Sequence, residues 1–388
     1  MAEPSPQHVL VAGVTTRPLA QSAARAGYRV TAVDAFGDLD LQAIADVILA
    51  RAQQPGETFG PLDAAAAGSR VSAELAAYTS NFENFPAAVA RLSRGRRLLG
   101  NSPATLSLVR NPAMIMRALR RHDLITPESR QRAPGLRTVL GSWLLKPRRS
   151  GGGHGITPWL PGMPVRRSMY LQQRIAGLSG SISFAADGNN AVLLGFSRQL
   201  VGQRSFGAEG FRYCGSILGY PEVRLFRRQR MLLERAVRVA AVLTQEFGLV
   251  GLNGIDFIAR EGIPYPIEVN PRYSASMELV ERAHGVSMFG VHARACEGEL
   301  PVAPRSARQV HGKAIVFARH DSQLGDTRGW LSRSWLADVP RPGERIAEGR
   351  PICTVFARAR HPRQCRQLLV RRARKVYRGV TRASRRAA

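Results

Sequence analysis

Two acidic residues, Asp256 and Glu268, stand at equal distances from Gly262 in a stretch of otherwise apolar character. The turn signal at Arg260–Pro264, between two apolar runs, predicts a β-hairpin. The equal spacing then predicts that both carboxylates lie opposite each other, with Asn270 on the same face as Glu268. Opposed carboxylates repel unless a cation lies between them. This hairpin therefore predicts a hard metal ion with oxygen ligands. Mg²⁺ fits because it takes one or two carboxylates and completes its shell with phosphates and water. A solvated pair of surface acids is the alternative, but the apolar neighbours indicate buried strands.

A second cluster, WLLKPRRSGGGHGI at residues 143–156, joins a lysine to a glycine-rich loop. An apolar strand delivers Lys146, and the glycines that follow are Gly151, Gly152, Gly153 and Gly155. Such a loop lets backbone N–H groups close around phosphate oxygens, and the lysine adds a cation at its base. No Gly-Lys-Ser/Thr ends it and Pro158 opposes a long helix, so it is not a Walker loop. The cluster predicts a flap over phosphates, and a glycine turn with an incidental lysine is the alternative.

Arg272, Ser274 and Ser276 follow the hairpin, directly before a predicted helix. A helix N-terminus stabilises an anionic phosphate or carboxylate through its free N–H groups and its dipole. These residues predict an anion site next to the hairpin.

The elements that would position these residues begin with an α/β pattern at residues 8–34. A buried strand, a helix at Arg17–Ala26 and a second strand predict a β-α-β unit and a parallel sheet covered by helices. The turn after Gly13 lacks the second and third glycines of a dinucleotide fingerprint, although Asp34 has the spacing of a ribose acid. A nicotinamide cofactor is therefore weakly indicated.

The rest of the chain predicts helices and then strands. The predicted segments are helices over 103–133, strands over 143–198, a helix at Gln229–Phe247, a helix at Ser276–Gly285 and a β-rich section after Pro304. The whole pattern is typical of an α/β protein with α+β subdomains.

Composition limits the class of protein. The 388 residues, 44% of them hydrophobic, are enough for two or three domains with a substantial core. We find no run of about 20 apolar residues and no basic export signal, so a cytoplasmic protein without a membrane span is expected. Four cysteines without a C-x-x-C pair indicate neither a disulfide scaffold nor a zinc ribbon.

The net charge of +28 is carried almost entirely by arginine, since only three of the 56 basic residues are lysine. From Pro351 onward there is no Asp or Glu. This basic end could hold phosphates, anionic lipid or an acidic substrate, or be a solvated helix end. A nucleic-acid partner is not favoured, because stacking aromatics are not interleaved with the charges.

Lys146, the glycine loop and the hairpin carboxylates, in this order, resemble the ATP-grasp superfamily and its biotin carboxylase and carbamoyl phosphate synthetase branch. The run IEVNPR at 267–272, with serines after it, is particularly similar to the latter. The resemblance implies an ATP-grasp fold with a Rossmann-like pre-ATP-grasp domain and a C-terminal β-rich segment. The implied boundaries are 1–104 for the first domain, 105–303 for the ATP-grasp domain with a lid over about 105–177, 304–370 for the β-rich segment and 371–388 for a basic tail.

The resemblance also implies roles. Lys146 would contact the α/β-phosphates, the glycine loop would cover the β/γ-phosphates, and Arg272 would face the γ-phosphate or an acylphosphate. Lys146 and Arg272 are thus the implied catalytic residues. Asp256, Glu268 and Asn270 would hold Mg²⁺, with Mn²⁺ as a substitute. The implied adenine-reading hinge is Gln172, Gln173, Arg174 and Ile175.

The sequence departs from the family pattern at several positions. The hinge carries amides where acids are usual, and Ser179 stands about where a ribose-binding Glu is often found. An earlier lysine is missing, so that Arg110 or Arg117 would replace it. Asn253 stands where an arginine usually precedes the metal Asp.

The function implied is a Mg²⁺- and ATP-dependent carboxylate–amine ligase acting on small molecules, with cofactor biosynthesis as one setting and a homo-oligomer left open. The alternatives are an ATP-dependent carboxylase or carbamoyl-type enzyme, and an NAD-dependent oxidoreductase that uses the opening β-α-β unit.

Overall fold

The computed structural model describes residues 6–50, 59–133, 142–304 and 309–386. Its N-terminal part is a parallel sheet flanked by helices. The strands are β1 (His8–Ala12), β2 (Arg29–Asp34), β3 (Asp46–Leu49), β4 (Leu75–Tyr78) and β5 (Arg97–Leu99). The helices are α1 (Arg17–Arg25), α2 (Leu39–Gln42), α3 (Pro61–Gly68) and α4 (Pro86–Leu92). The strand order β3-β2-β1-β4-β5 confirms the predicted β-α-β unit and parallel sheet.

Two helices and a small sheet follow, which we call the small lobe. They are α5 (Pro103–Val109), α6 (Pro112–Arg121), β6 (Ser129–Arg130), β7 (Trp143–Pro147), β8 (Thr157–Pro158) and β9 (Met169–Gln173). Asn111 caps α6 and Pro112 begins it. The sheet has the order β6-β9-β7-β8 and a core of its own around Trp143, Trp159 and Leu171.

A large antiparallel sheet forms the centre of the molecule. Its first elements and their helices are β10 (Leu178–Asp187), β11 (Ala191–Val201), β12 (Tyr213–Gly219), α7 (Gln229–Phe247), β13 (Val250–Arg260), β14 (Ile263–Asn270), α8 (Met277–His284) and α9 (Met288–Cys296). Both helices predicted in this region are confirmed, and α7 has the predicted bounds.

The C-terminal part extends the same sheet. It contains β15 (Val310–Phe317), β16 (Ser322–Gln323), β17 (Leu336–Ala337), β18 (Arg345–Ile346), β19 (Pro351–Ala359) and α10 (Pro362–Arg386). The eight-stranded order is β14-β13-β10-β11-β12-β15-β19-β17, while β16 and β18 pair separately. The β-rich segment is therefore continuous with the large sheet.

One boundary from the sequence needs correction. A basic tail was expected to begin at residue 371, but α10 runs through that position without a break. Ala373, Val376 and Val380 are buried in the main core, since the apolar face of α10 packs on β15 and β19. Residues 387–388 lie outside the described residues.

Among the described helices, none combines the length and the apolar character that crossing a membrane would require.

Candidate functional site

The hairpin of β13 and β14 places Asp256 directly opposite Glu268, and Gly254 opposite Asn270. Its turn is only two residues long, with φ of 49° at Glu261 and 77° at Gly262, as in a type I′ turn. The turn centre thus lies before Gly262, and a one-residue bulge next to Asp256 restores the register. The predicted pairing is confirmed because these two irregularities cancel.

The carboxylates are electrostatically coupled. Burial, followed by repulsion from Glu268, raises the pKa of Asp256 to about 6, although hydrogen bonds from Ser181 and Gln199 oppose the shift. Repulsion between close carboxylates disfavours the doubly charged state. A cation in this pair would relieve that repulsion.

Arg110 supplies a cation to one side of the pair. Its Nη1 lies 2.9 Å from Glu268 Oε1 and donates to the carbonyl of Val269 at 2.6 Å. Nη2 donates to the carbonyl of Ser150, in the glycine loop, at 3.2 Å. Arg110 thus joins the hairpin to the glycine loop. Arg117 is exposed on α6, so Arg110 is the arginine that stands in this cleft.

Asn270 and Arg272 form a second chain of contacts. Asn270 donates through Nδ2 to Asp256 Oδ2 at 3.2 Å and accepts at Oδ1 from Arg272 Nη2 at 3.1 Å. The same guanidinium nitrogen lies 2.7 Å from Oε1 of the buried Glu83. Asn270 thus presents its amide nitrogen to Asp256, and its oxygen is engaged by Arg272. Within the described residues, Arg272 Nε and Glu83 Oε2 are buried without a hydrogen-bond partner.

Lys146 connects the two sides of the cleft. From β7 of the small lobe, its Nζ donates to Gln172 Oε1 at 3.0 Å and to the carbonyl of Ile267 at 3.3 Å. Ile267 directly precedes Glu268 on β14. The lysine, 7% exposed, therefore stands in the same cleft as Arg110 and Glu268, with Ile115, Met116 and Tyr170 among its lining residues.

The glycine loop closes one end of this cleft. Gly153 has φ of 80°, and a Cβ at this position would lie 1.9 Å from the carbonyl oxygen of Phe211. The N–H of Tyr213 donates to the carbonyl of Gly152 at 2.9 Å. Only glycine fits this approach of the loop to the large sheet. Gly151 has open space around it, and Gly152 and Gly155 have positive φ.

Part of the implied adenine-reading hinge is paired within the sheet of the small lobe. Gln172 pairs with Ser129 on one side and Leu144 on the other, and its buried Nε2 has no partner in the described part of the chain. The N–H of Gln173 donates to Glu128 O at 2.8 Å, and that of Arg174 donates to Ser142 O at 2.8 Å. Ile175 follows the end of β9. Contacts of this segment with an adenine stay a prediction.

Sequence reasoning missed the contribution of the N-terminal parallel sheet. Glu83 and Asn84 lie in a short 3₁₀ turn after β4, and Asn84 Oδ1 accepts from Arg110 Nε at 2.9 Å. The signal was the polar run TSNFEN directly after a buried strand, since the carboxyl ends of parallel strands commonly form ligand sites.

The dinucleotide alternative finds no support at the opening β-α-β unit. Asp34 accepts hydrogen bonds from the N–H and hydroxyl of Thr16 and from the N–H groups of Phe36 and Gly37. At Gly13, a Cβ would lie 1.9 Å from Thr79 Oγ1. The Asp34 carboxylate thus accepts hydrogen bonds from nearby loop residues, and the Thr79 side chain fills the space beside Gly13.

The described residues contain no group of three or more His, Cys, Asp and Glu side chains that could hold a metal ion. The candidate metal ligands are the carboxylates of Asp256 and Glu268, with phosphate and water oxygens needed to complete a shell. Metal binding by Asn270 stays a prediction, since its Oδ1 accepts a hydrogen bond from Arg272. A half-buried, mutually repelling acid pair fits a hard divalent cation.

The fold and the cleft define a class of protein with two facing parts. A small β-sheet lobe carries a buried lysine, and it packs against a large antiparallel sheet that carries a pair of carboxylates. A family model described as an ATP-grasp domain matches residues 110–276. Residues 110–276 therefore carry an ATP-grasp domain, and the resemblance seen in the sequence is confirmed.

One protein sequence and two solved structures are similar to this chain over nearly its whole length. An uncharacterized protein of Methanocaldococcus jannaschii is 22% identical over 367 residues, covering 90% of this chain and 88% of that protein. The structure is similar to an L-amino acid ligase from Bacillus licheniformis, with a TM-score of 0.66, 14% identity and coverage of 96% and 98% of the two chains. It is also similar to the ADP complex of N5-carboxyaminoimidazole ribonucleotide synthetase, with a TM-score of 0.68, 17% identity and coverage of 97% and 98%.

Proposed function

We propose that this protein is a Mg²⁺- and ATP-dependent ligase that activates a carboxylate as an acylphosphate for attack by an amine. The γ-phosphoryl group of ATP passes to a carboxylate oxygen and ADP leaves. The amine then forms a C–N bond with the acyl carbon, inorganic phosphate leaves, and the amine gives up a proton. The ATP-grasp domain, and its similarity to two enzymes whose names describe a ligase and a synthetase, support this reaction class.

One observation carries the proposal. Lys146 reaches from the small lobe to the carbonyl of Ile267, 3.3 Å away, directly beside the carboxylate-bearing face of β14. A cation on one wall and two carboxylates on the other suit a nucleotide phosphate chain held together with a divalent metal ion. Phosphoryl transfer needs this positioning and charge neutralisation rather than a protein nucleophile.

The chain's own residues have distinct tasks in this proposal. Lys146 would hold the inner phosphates, and the glycine loop would exclude water from the outer ones. Asp256 and Glu268 would hold Mg²⁺, which neutralises phosphate charge when bound. Arg272 would face the developing acylphosphate.

Arg110 would act as the counter-ion of Glu268 when metal is absent. Its contacts with Glu268 and with the carbonyl of Ser150 support a second task, in which it binds phosphate and fixes the glycine loop.

The test is ADP release by the full chain, with carboxylates and amines supplied as pooled libraries. ADP release that requires one carboxylate and one amine together, with an amide product of matching mass, supports the proposal. ATP turnover driven by bicarbonate alone would instead favour the carboxylase alternative. Absence of Mg·ATP binding in calorimetry would contradict both.

A further inference from the structure

Helix α10 has one apolar face and one basic face. The buried residues recur every three or four positions and pack against the large sheet: Cys365, Leu369, Ala373, Val376 and Val380. The opposite face carries five exposed cations: Arg363, Arg371, Arg374, Lys375 and Arg378. At about 100° per residue, these five lie within a single face that points away from the buried row.

This basic face, defined by those five cations, is not balanced by acids. The chain has no Asp or Glu from Pro351 to its end, whereas it has 28 in all. None of the five cations forms an ion pair with a carboxylate in the described part of the chain. The charges extend from Arg363 to Arg378, which is about 22 Å of helix. A surface of this kind fits a polyanion.

The structure favours one kind of polyanion. An interfacial helix anchors in a lipid bilayer through its apolar face, but the apolar face of α10 is already packed on the sheet. Single strands stack on exposed aromatic rings, but Tyr377 is partly buried, with Arg319 stacked 4.0 Å from its ring centre. A nucleic-acid duplex needs neither a free apolar face nor exposed aromatic rings, because its regularly spaced phosphates bind cations directly. Arginine suits phosphate through its planar fork of donors.

We propose that the basic face of α10 binds the phosphate backbone of a duplex nucleic acid without reading its sequence. The lack of interleaved aromatics argues against single strands only, so the sequence argument against nucleic acid does not apply to a duplex. The basic face is separate from the candidate metal ligands of the hairpin, because β14 and β15 are five strands apart in the sheet, or about 24 Å.

The test measures binding of the full chain to a fluorescent duplex of about 20 base pairs over a series of salt concentrations. Five phosphate contacts predict a slope of log K against log salt of about −4.5. The triple variant Arg371→Gln/Arg374→Gln/Arg378→Gln should reduce that slope to about −1.8 and weaken binding at least about tenfold at 0.1 M salt. Deleting residues 371–388 is a poor test, because it removes Ala373, Val376 and Val380 from the core.

The matched control is Arg70→Gln/Arg91→Gln/Arg94→Gln, which removes the same charge from exposed positions of the N-terminal domain. The control should bind the duplex as wild type does, and both triples should keep wild-type ATP turnover and helical circular dichroism. If the α10 triple does not fold, Arg378→Gln alone should still change the slope by about 0.9.

Three results would overturn the proposal. The first is equal loss of duplex binding in both triples, since overall charge would then be the cause. The second is a wild-type salt slope near zero. The third is α10-dependent binding to phosphatidylserine vesicles or polyglutamate that is tighter than binding to the duplex, which would assign the face to a membrane or an acidic protein.

Discussion

Arg110 Nη1 lies 2.9 Å from Glu268 Oε1, so an arginine at the end of α5 neutralises one of the two opposed carboxylates. The same side chain contacts Asn84 of the N-terminal domain and Ser150 of the glycine loop. Three parts of the molecule therefore meet at one guanidinium group.

The first prediction follows from this contact. Arg110→Gln should lower ATP-dependent turnover at least about tenfold, because the loop loses an anchor and the cleft loses a phosphate-binding cation. Arg117→Gln removes the same charge from the exposed side of α6 and should leave turnover unchanged. Steady-state ADP release measures both. Equal activity of the two variants would remove Arg110 from the site.

The second prediction concerns Lys146. Lys146→Ala should weaken ATP binding by about 10- to 100-fold in calorimetry, because the inner phosphates lose a fixed charge. Lys146→Arg should recover only part of this affinity, since a planar fork does not reproduce a point charge. Lys375→Ala, an exposed lysine of α10, is the matched control. Wild-type ATP affinity in Lys146→Ala would refute the phosphate assignment.

The third prediction is a pH dependence. The pKa of Asp256 is raised from 3.8 to about 6, so between these values the folded protein holds a proton that the unfolded chain has released. The free energy of unfolding contributed by this group should fall as pH rises from about 4 to about 6. Metal requires the ionised carboxylate, so Mg·ATP affinity should fall as pH drops below about 6. Denaturant midpoints with EDTA and calorimetry with Mg·ATP over this range measure the two effects.

The fourth prediction tests the carboxylate pair. Glu268→Gln should lower turnover at least about 100-fold, because in the proposed function Glu268 supplies one of the two charges that hold Mg²⁺. It should also lower the pKa of Asp256, because the repulsion from Glu268 disappears. Glu234→Gln removes an exposed acid of α7 and serves as control. Normal turnover in Glu268→Gln with an unchanged Asp256 titration would mean that the pair is structural.

The fifth prediction uses two glycines of one loop. Gly153→Ala should lower turnover at least about tenfold, since its φ of 80° and the carbonyl of Phe211 leave no room for a Cβ. Gly151→Ala meets open space and should behave as wild type. If both variants are equally active, the approach of the loop to Phe211 does not matter for the reaction.

The class of fold and the pairing of Asp256 with Glu268 could both be predicted from the amino-acid sequence. Local periodicity and turn residues decide strands and helices over short distances, so α7 and the two strands of the β13–β14 hairpin could be predicted. The pairing of Asp256 with Glu268 is as predicted because the two-residue turn and the bulge beside Asp256 offset each other. The charges of the basic end were visible as well.

Tertiary structure decided what lies beside those carboxylates and charges. Arg110 reaches Glu268 across 158 positions of sequence, and Glu83 reaches Arg272 from the turn after β4, because packing of separate elements sets such distances. The orientation of α10 also depends on tertiary structure. Periodicity indicates an apolar face and a basic face, but packing on the large sheet is what buries the first and leaves the second exposed.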